Sequence, residues 1–496
     1  MGLNKQVVSY LNPVLMDSRE LEQTQEIRIP DGMPDVDRVL GVWGQPVLRS
    51  KEWHRDTASF SGGIMLWVLY RPEGERIPQT MDAWVPFQGK WDLPEDIPEG
   101  TLSVCLGVRF LDARVISPRK MMTRAGLSVC VQAFSAAERE VTAPENLPED
   151  VHLLQKSYPL RLYAQAGEKA FSLEDTLSSA GEDLSTWRIA AAGVRPYLND
   201  QKVVGNKLAF RGGAELTILL LPEDGIPESR SFQFPFSQLA ELEDSFGNNA
   251  DSEIQLCVTN LELEEDAEGQ KKFRLSLTAQ YTVSDITVVE TVEDAYSNLR
   301  SVKLTTESLE LMPILDKRWE SIPARATLPE DITNSLAASI WSDVPAFEES
   351  GEEGTLCVQG TGQILFQGEA NLEGKTLRFE GSRPFRAGAE TRKAVTAFLV
   401  GPALLEPGAG GMELTGEMKC LVTVFAAQGI PLVTELELGE LREPDPDRPA
   451  LVLCRPGEKT LWALAKENGS TVEAIRRANN LEGDAAPNQV LLIPIA

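Results

Sequence analysis

Histidines, the residues that most often act as catalytic acids and bases, are few in this 496-residue chain, and they stand far apart. The only two histidines are His54 and His152, and neither has a cysteine or carboxylate at the spacing of a metal site. The sequence contains no Gly-x-x-x-x-Gly-Lys-Ser/Thr loop, no Gly-x-Gly-x-x-Gly turn and no Gly-x-Ser-x-Gly elbow. Its many carboxylates cannot be paired into an acid and a base from sequence alone. We therefore expect a protein that is not an enzyme and that uses no metal or cofactor.

The net charge limits the class of partner. A formal charge of -28 argues against nucleic acid or an anionic membrane as a partner, because both attract positive surfaces.

No apolar run approaches the roughly 20 residues of a membrane-spanning helix, and the first residues lack the apolar core of a signal peptide. The six cysteines stand singly, without a Cys-x-x-Cys pair. We expect a cytosolic protein whose cysteines are reduced and packed.

The last 46 residues have the pattern of a small binding module. Val452–Arg455 predicts a short strand, and the helix that follows ends at Gly469, a residue suited to a left-handed cap. Ser470 and Glu473 have capping-box spacing, which predicts that a second helix begins there. The apolar run 490–494 predicts a second strand that pairs with the first. The sequence therefore predicts a βααβ unit.

The same residues resemble the LysM domain. The matching positions are Gly457, Glu458, Thr460, Leu461, Trp462, Asn468, Gly469, Thr471, Val472, Ile475, Asn479, Asn480, Leu481, Gln489, Leu492, Ile493 and Pro494. The chain departs from the family pattern in four places: Lys459 is inserted, and Glu458, Asn468 and Asn488 replace the usual Asp, Tyr and Gly. These departures fall near the loops that hold sugars in the family.

The resemblance implies a site for a protein partner or for a glycan that contains N-acetylglucosamine, such as peptidoglycan. The candidate site residues are Gly457, Glu458, Lys459, Thr460, Trp462, Ile475, Asn479, Asn480 and Leu481. Each has a plainer alternative. Trp462 and Ile475 have the positions of core residues, and the polar loop residues are also compatible with a solvated loop.

Upstream of this module the chain repeats itself. Gly62, Gly212 and Gly360 each follow an aromatic or apolar residue by two positions, at intervals of 150 and 148 residues. A Pro-Phe pair follows each glycine and recurs every 149 residues, at 86–87, 235–236 and 384–385. Three copies of one domain explain both spacings. The pair Gly62-Gly63 is typical of a bulge or of a close approach between strands.

Each copy is rich in predicted strands that alternate apolar and polar residues between turn residues. This favours a mainly β fold of three antiparallel, sandwich-like domains followed by the small α+β module. The predicted limits are 1–140, 151–290 and 300–440 for the three β domains, 441–449 for a Pro/Asp linker and 450–496 for the module. The linker composition predicts a stiff segment that holds the module away from the body.

The first copy also resembles a family, the SPOCS domain of endospore-forming bacteria. The resemblance lies in Asp31–Leu40, Leu69–Arg71, Pro86–Phe87 and Asp112–Lys120. SPOCS domains followed by one LysM domain are similar to the SipL and SpoVID group of spore-coat morphogenetic proteins. This similarity implies a protein of the mother-cell cytosol that lies on the forespore surface. It also implies that the LysM domain binds the ATPase that polymerises as the basement layer of the spore coat.

Three functions remain open from the sequence. The first is a structural scaffold of coat assembly whose LysM domain binds a protein. The second is a glycan-binding protein of the cell wall or spore cortex, against which stand the loop departures and the single LysM copy. The third is a hydrolase with a LysM targeting tag, which would need a catalytic domain that the repeats do not contain.

Overall fold

The computed structural model describes residues 2–145, 147–177, 184–222, 226–267, 269–329, 332, 335–350, 353–368, 371–388, 390–408, 411–442, 449–483 and 489–495. The described chain is mainly β, with several antiparallel sheets and two short helices near its end. The predicted fold class is confirmed. In the described residues, no helix is long and apolar enough to cross a membrane.

The strands fall into three successive sets, which we call units 1 to 3. Unit 1 contains β1 (Gly2–Arg28), β2 (Val36–His54), β3 (Thr57–Pro72), β4 (Gln79–Asp92), β5 (Thr101–Ser117) and β6 (Lys120–Glu145). Unit 2 contains β7 (Val151–Thr176), β8 (Arg188–Leu221), β9 (Glu228–Phe246), β10 (Asp251–Glu265) and β11 (Lys271–Ser297). Unit 3 contains β12 (Arg300–Leu311), β13 (Ile314–Thr327), β14 (Ser335–Ser342), β15 (Ala346–Ser350), β16 (Glu353–Gln367), β17 (Leu372–Arg386), β18 (Thr391–Val400), β19 (Leu404–Gly408), β20 (Gly411–Ala426) and β21 (Gln428–Leu441).

All three units share one strand plan. In each unit one long strand pairs with a second long strand, which also pairs with a third: β1, β6 and β5 in unit 1, β7, β11 and β10 in unit 2, and β13, β20 and β18 in unit 3. The strands between them form an antiparallel meander, β2-β3-β4 in unit 1 and β14-β16-β17 in unit 3. In unit 2, β8 turns at Gly205 (φ +59°) and then pairs with β9. Apolar side chains pack between the layers of each unit.

The repeated glycines lie where neighbouring segments approach closely. A Cβ atom on Gly62, Gly212 or Gly360 would lie 2.1, 2.0 or 2.1 Å from a backbone oxygen of the neighbouring segment, that of Val47, Tyr197 or Trp341, respectively. No larger residue fits at that separation, so the close strand approach expected at Gly62 is present there and recurs at Gly212 and Gly360. The aromatic partner differs in unit 3. Phe87 and Phe236 lie opposite Gly62 and Gly212, but Phe379 lies opposite Gly360. Pro384 and Phe385, which the sequence spacing selects, are instead opposite Thr355 and Gly354.

The three units pack into one body through their sheet edges. β5 and β18 are the end strands of their sheets, so their outer backbone groups need partners from outside the sheet. Gln280 on β11 accepts a hydrogen bond from the Val104 N–H (2.9 Å) and donates to the Val104 carbonyl (2.8 Å). Gln132 on β6 donates to the Thr396 carbonyl of β18. Buried glutamines therefore join unit 2 to unit 1 and unit 1 to unit 3.

The C-terminal module has the predicted βααβ order. It consists of β22 (Leu451–Cys454), α1 (Leu461–Asn468), α2 (Val472–Asn479) and β23 (Leu491–Pro494). Most of the predicted linker, residues 443–448, lies outside the described residues. The prediction that the linker holds the module away from the body is wrong, because the Tyr296 side chain of β11 belongs to the same apolar cluster as the helices of the module.

Candidate functional site

The loops that carry the candidate residues lie at one end of the module. β22 and β23 are antiparallel, and Cys454 at the end of β22 pairs with Leu491 at the start of β23. The segment that leaves β22 and the segment that enters β23 are therefore adjacent. The first contains Gly457 to Thr460, and the second follows Leu481. Asn488, one of the departures from the family pattern, lies outside the described residues.

Turn and cap chemistry positions the first loop. Gly457 has φ +58°, which glycine adopts without strain, and open space surrounds the position that its Cβ would occupy. The Lys459 N–H closes the turn onto the Pro456 carbonyl at 3.0 Å. The Thr460 hydroxyl then accepts a hydrogen bond from the Ala463 N–H at 3.2 Å, so Thr460 is the N-cap of α1. The Thr460 side chain thus has a defined role in the fold.

The cap of the second helix differs from the sequence prediction. Ser470 and Glu473 have capping-box spacing, but the N-cap is Thr471, whose hydroxyl accepts the Ala474 N–H at 3.0 Å. Ser470 is completely buried, and its carbonyl accepts a hydrogen bond from the Tyr296 hydroxyl at 3.0 Å. A contact with the body therefore places Ser470 one residue before the cap.

Trp462 lies between the module and unit 2. Its indole N–H donates to the Asp294 carboxylate at 2.8 Å, and its ring meets the Tyr296 ring edge-on with the centroids 4.7 Å apart. The Lys466 ammonium, one turn further along α1, donates to the other Asp294 oxygen at 2.6 Å. The indole packs against the module core, as the plainer alternative expects, but its polar edge is directed to the body. One carboxylate of β11 therefore holds the exposed face of α1.

Tyr296 is the apolar centre of this contact. It is 4% exposed, and its ring also lies 5.1 Å from the imidazole of His152. Burial, followed by the nearby Glu473 and Asp294 carboxylates, raises the pKa of Tyr296 to about 12. The phenol therefore stays neutral and keeps donating to Ser470 well above neutral pH.

Two further candidate residues serve the fold of the module. Ile475 is completely buried in the apolar cluster between the helices and β23. The Asn479 amide donates to the carbonyls of Ile475 (2.8 Å) and Leu492 (2.6 Å), and its oxygen accepts the Leu492 N–H (2.8 Å). Asn479 thus joins α2 to β23 by binding both backbone groups of Leu492, as a residue of a neighbouring strand would.

The remaining candidates are nearer to solvent. Asn480 is exposed and ends α2 in the left-handed conformation (φ +53°), and Leu481 packs partly against the module core. Glu458 is exposed, and so is Lys459, whose ammonium pairs with Glu467 at 2.7 Å. Gly457, Glu458, Lys459, Thr460 and Asn480 are therefore the exposed members of the candidate set. Their role in binding stays a prediction.

The turn that resembles the SPOCS family is held by its own charged residues. The Arg119 guanidinium donates to the carbonyls of Met33 (2.6 Å) and Pro30 (2.9 Å) and to the Asp35 carboxylate (3.0 Å). Arg71 binds Asp37 through Nε at 2.7 Å. These contacts form a local ion-pair network at the turn. It clamps the turn between β1 and β2.

Asp294 and Tyr296 contact the module, and sequence reasoning missed them. They lie in a strand of unit 2 about 170 positions before the residues that they contact, and no motif distinguishes them.

The metal-ligating and nucleophilic side chains of the described residues were compared in the same way. In the described chain, no set of three His, Cys, Asp or Glu side chains is placed to hold a metal ion. Burial raises the pKa values of the Cys130, Cys257 and Cys420 thiols to about 12, which makes them poor nucleophiles.

Comparison with known families identifies the C-terminal module. Residues 455–494 match the LysM domain family model, which confirms the resemblance seen in the sequence. A LysM domain indicates binding to peptidoglycan or to a protein. No curated protein matches the chain.

Proposed function

We propose that this chain is a non-enzymatic scaffold whose LysM domain binds a protein partner. The three β units form the body, and the LysM domain is attached to unit 2 in a defined orientation by Trp462, Lys466 and Tyr296. A fixed orientation suits a protein that positions a partner. LysM domains bind peptidoglycan or proteins, and of these two kinds of binding we propose protein binding for this one.

The observation that carries this choice is the position of Trp462. It is the only aromatic residue between 450 and 496. The apolar face of a sugar ring packs well on an aromatic ring, but this ring is packed against Tyr296 and its N–H is bound to Asp294. The LysM domain therefore keeps no freely presented aromatic surface for a glycan.

The polar loop residues support the same choice. The Asn479 amide uses both its oxygen and its nitrogen inside the domain, and Thr460 caps α1. What is left at the loop end is a small set of exposed charged and amide groups, chiefly Glu458, Lys459 and Asn480. Such groups suit the polar rim of a protein interface.

We place this scaffold in spore-coat assembly on the SPOCS resemblance of unit 1. On that proposal the protein acts in the mother-cell cytosol at the forespore surface, and its LysM domain binds the ATPase of the coat basement layer. The strongly acidic body supports association with proteins over association with anionic polymers, because like charges repel.

The test is direct binding with the full-length chain. The immobilised chain is exposed to the basement-layer ATPase of the same organism, to chitohexaose and to purified peptidoglycan. Binding of the ATPase with no binding of either glycan is the expected result. Binding of glycan alone would contradict the proposal and indicate a glycan-binding protein of the cell wall or spore cortex.

Matched variants locate the contact. Asn480→Gly removes an exposed side chain at a left-handed position that glycine accepts, and Lys459→Ala removes an exposed ammonium. We expect each to weaken ATPase binding about tenfold. Glu467→Ala breaks the same Lys459 ion pair from its other end and should leave binding within about twofold, because exposed pairs contribute little. Equal loss in all three variants would place the contact elsewhere.

A further inference from the structure

One face of α1 holds the LysM domain against unit 2. This face offers two hydrogen-bond donors, the Trp462 indole N–H and the Lys466 ammonium. The two residues are four positions apart, so they lie on the same side of the helix. The Ser470 carbonyl, just after the helix, adds one acceptor. The face therefore fits a ligand that carries one carboxylate and one hydroxyl donor.

A single short segment of β11 supplies both groups. The Asp294 carboxylate accepts from the two donors at 2.8 and 2.6 Å, and the Tyr296 hydroxyl donates to the Ser470 carbonyl at 3.0 Å. The Tyr296 ring also meets the Trp462 ring edge-on. Residues two positions apart in a strand point to the same side, so an extended Asp-x-Tyr segment provides all these contacts. The sequence contains this pattern once, at 294–296.

The tyrosine ring also covers part of the LysM core. Tyr296 belongs to the same apolar cluster as Leu461, Leu464 and Ala465 of α1. All four side chains are less than 5% exposed. Removing the ring would open this part of the core to water. The face thus needs an aromatic side chain as well as a carboxylate.

The segment of β11 satisfies this face incompletely. The Ser470 side chain is completely buried, yet its hydroxyl has no hydrogen-bond partner within the described part of the chain. An unpaired buried hydroxyl lowers the stability of a contact. The Asp294 side chain is 25% exposed and that of Lys466 is 43% exposed, so water reaches their ion pair. A segment that also offers an acceptor to the Ser470 hydroxyl would bind this face more tightly.

We propose that this face of α1 is a binding site for an extended Asp-x-Tyr segment of a partner protein, and that residues 294–296 occupy it as an internal competitor. Every copy of the chain has its own 294–296 segment bound, so the competing segment comes from a different protein. The internal segment acts at an effective concentration on the order of millimolar, because both sides of the contact belong to one chain. A free segment therefore binds well only when it fits better or when the internal contact is weakened.

The test uses a synthetic nonapeptide with the sequence of residues 291–299, Thr-Val-Glu-Asp-Ala-Tyr-Ser-Asn-Leu. Saturation-transfer NMR measures its binding to full-length chains. We expect the peptide to bind Asp294→Ala about tenfold or more tightly than the unchanged chain, because the internal carboxylate is gone. Asp285→Ala removes an aspartate of β11 that makes no bond to the LysM domain, and it should behave as the unchanged chain does.

A second variant covers the case in which Tyr296 alone keeps the face closed. Asp294→Ala combined with Tyr296→Ala removes both side chains of the internal segment, so the peptide should bind this chain. Absence of binding to the double variant would overturn the proposal. Equal binding of a scrambled peptide of the same composition would also overturn it. Replacing the aspartate of the peptide by asparagine, or its tyrosine by alanine, should weaken binding about tenfold.

Substitutions in the LysM domain of the double variant locate the peptide. Trp462→Phe keeps an aromatic ring but removes the N–H, and Lys466→Ala removes the ammonium. We expect each to weaken peptide binding roughly fivefold or more. Asn480→Gly, at the loop end, should leave peptide binding unchanged, which separates this site from the one proposed above for the loops. Unchanged binding in both Trp462→Phe and Lys466→Ala would contradict the assignment.

Discussion

Single side chains in the LysM domain divide between holding the fold and facing solvent. Asn479 and Asn480 are neighbours in sequence, yet only Asn479 has its amide bonded to the backbone of β23. Asn480 contributes its left-handed backbone conformation and leaves its side chain exposed. Adjacent residues of one type therefore have different consequences when they are changed.

Asn479→Ala should destabilise the LysM domain by about 1–3 kcal/mol, because it leaves the Leu492 N–H and carbonyl without their partner. Asn480→Gly should change the stability by less than about 0.5 kcal/mol, because glycine adopts the same conformation. Hydrogen exchange of the α1 and α2 amides in the full-length chain measures both. Equal effects of the two substitutions would show that the Asn479 hydrogen bonds do not stabilise the domain.

At the scale of strands, close packing decides which glycines are replaceable. A methyl group added to Gly62, Gly212 or Gly360 would lie within 2.1 Å of a backbone oxygen, whereas one added to Gly193 would meet open space. Neither Gly62 nor Gly193 has a positive φ, so the difference between them comes from packing alone.

Gly62→Ala should lower the free energy of unfolding by roughly 1–3 kcal/mol, because β2 and β3 must separate to admit the methyl group. Gly193→Ala is the control and should be neutral within about 0.5 kcal/mol. Urea unfolding followed by circular dichroism compares the two variants. A neutral Gly62→Ala would mean that the strands yield easily at this point.

Asp150, just before β7, gives the junction of units 2 and 3 a pH dependence. Hydrogen bonds from Arg300 (2.8 and 3.1 Å) and from Ser297 lower the pKa of its carboxyl below the usual 3.8. The stabilisation is therefore complete above pH 3.8 and is lost as the pH falls through the lower, folded-state value. We expect Asp150→Asn to be less stable than the unchanged chain at pH 7, and the difference to shrink below pH 3.8. Thermal unfolding between pH 7 and pH 3 measures it, and a constant difference would contradict the assignment.

At the scale of the whole molecule, two kinds of contact assemble the parts. Glutamines satisfy the backbone of neighbouring sheet edges, and one carboxylate of unit 2 holds the LysM domain. The glutamine contacts are buried, the Trp462–Asp294 bond is partly buried and the Lys466–Asp294 pair is exposed, and each depends on a matching partner far away in sequence.

Gln280→Leu keeps the side-chain size but leaves the Val104 N–H and carbonyl unpaired. We expect a cost of about 1–3 kcal/mol for each unpaired group. Gln88→Leu, at an exposed position of β4, is the control and should be near neutral. Faster hydrogen exchange in β5 and β11 of the Gln280 variant alone is the expected result. Unchanged exchange in β5 would show that the bridge does not hold these units together.

Asp294→Ala should release the LysM domain from unit 2 without unfolding it. Losing the bonds to Trp462 and Lys466 should weaken docking by about 1–3 kcal/mol, or roughly fivefold to 150-fold. Asp285→Ala is matched, since both aspartates bond the next backbone N–H of β11 but Asp285 makes no bond to the module. Small-angle X-ray scattering should show a larger radius of gyration for Asp294→Ala only. An unchanged radius would show that Tyr296 packing is sufficient.

The sequence alone determined whatever depends on local pattern. Alternating apolar residues and turn residues determined the β class, recurring glycines determined the close strand approaches, and the loop and cap residues of 455–494 determined the LysM domain. The tertiary structure decided what depends on residues distant along the chain. It placed Phe379 opposite Gly360, because strand register is a property of a pair, and it placed the LysM domain on Asp294 and Tyr296. No local pattern encodes these contacts, because each forms only when two surfaces meet in the folded chain.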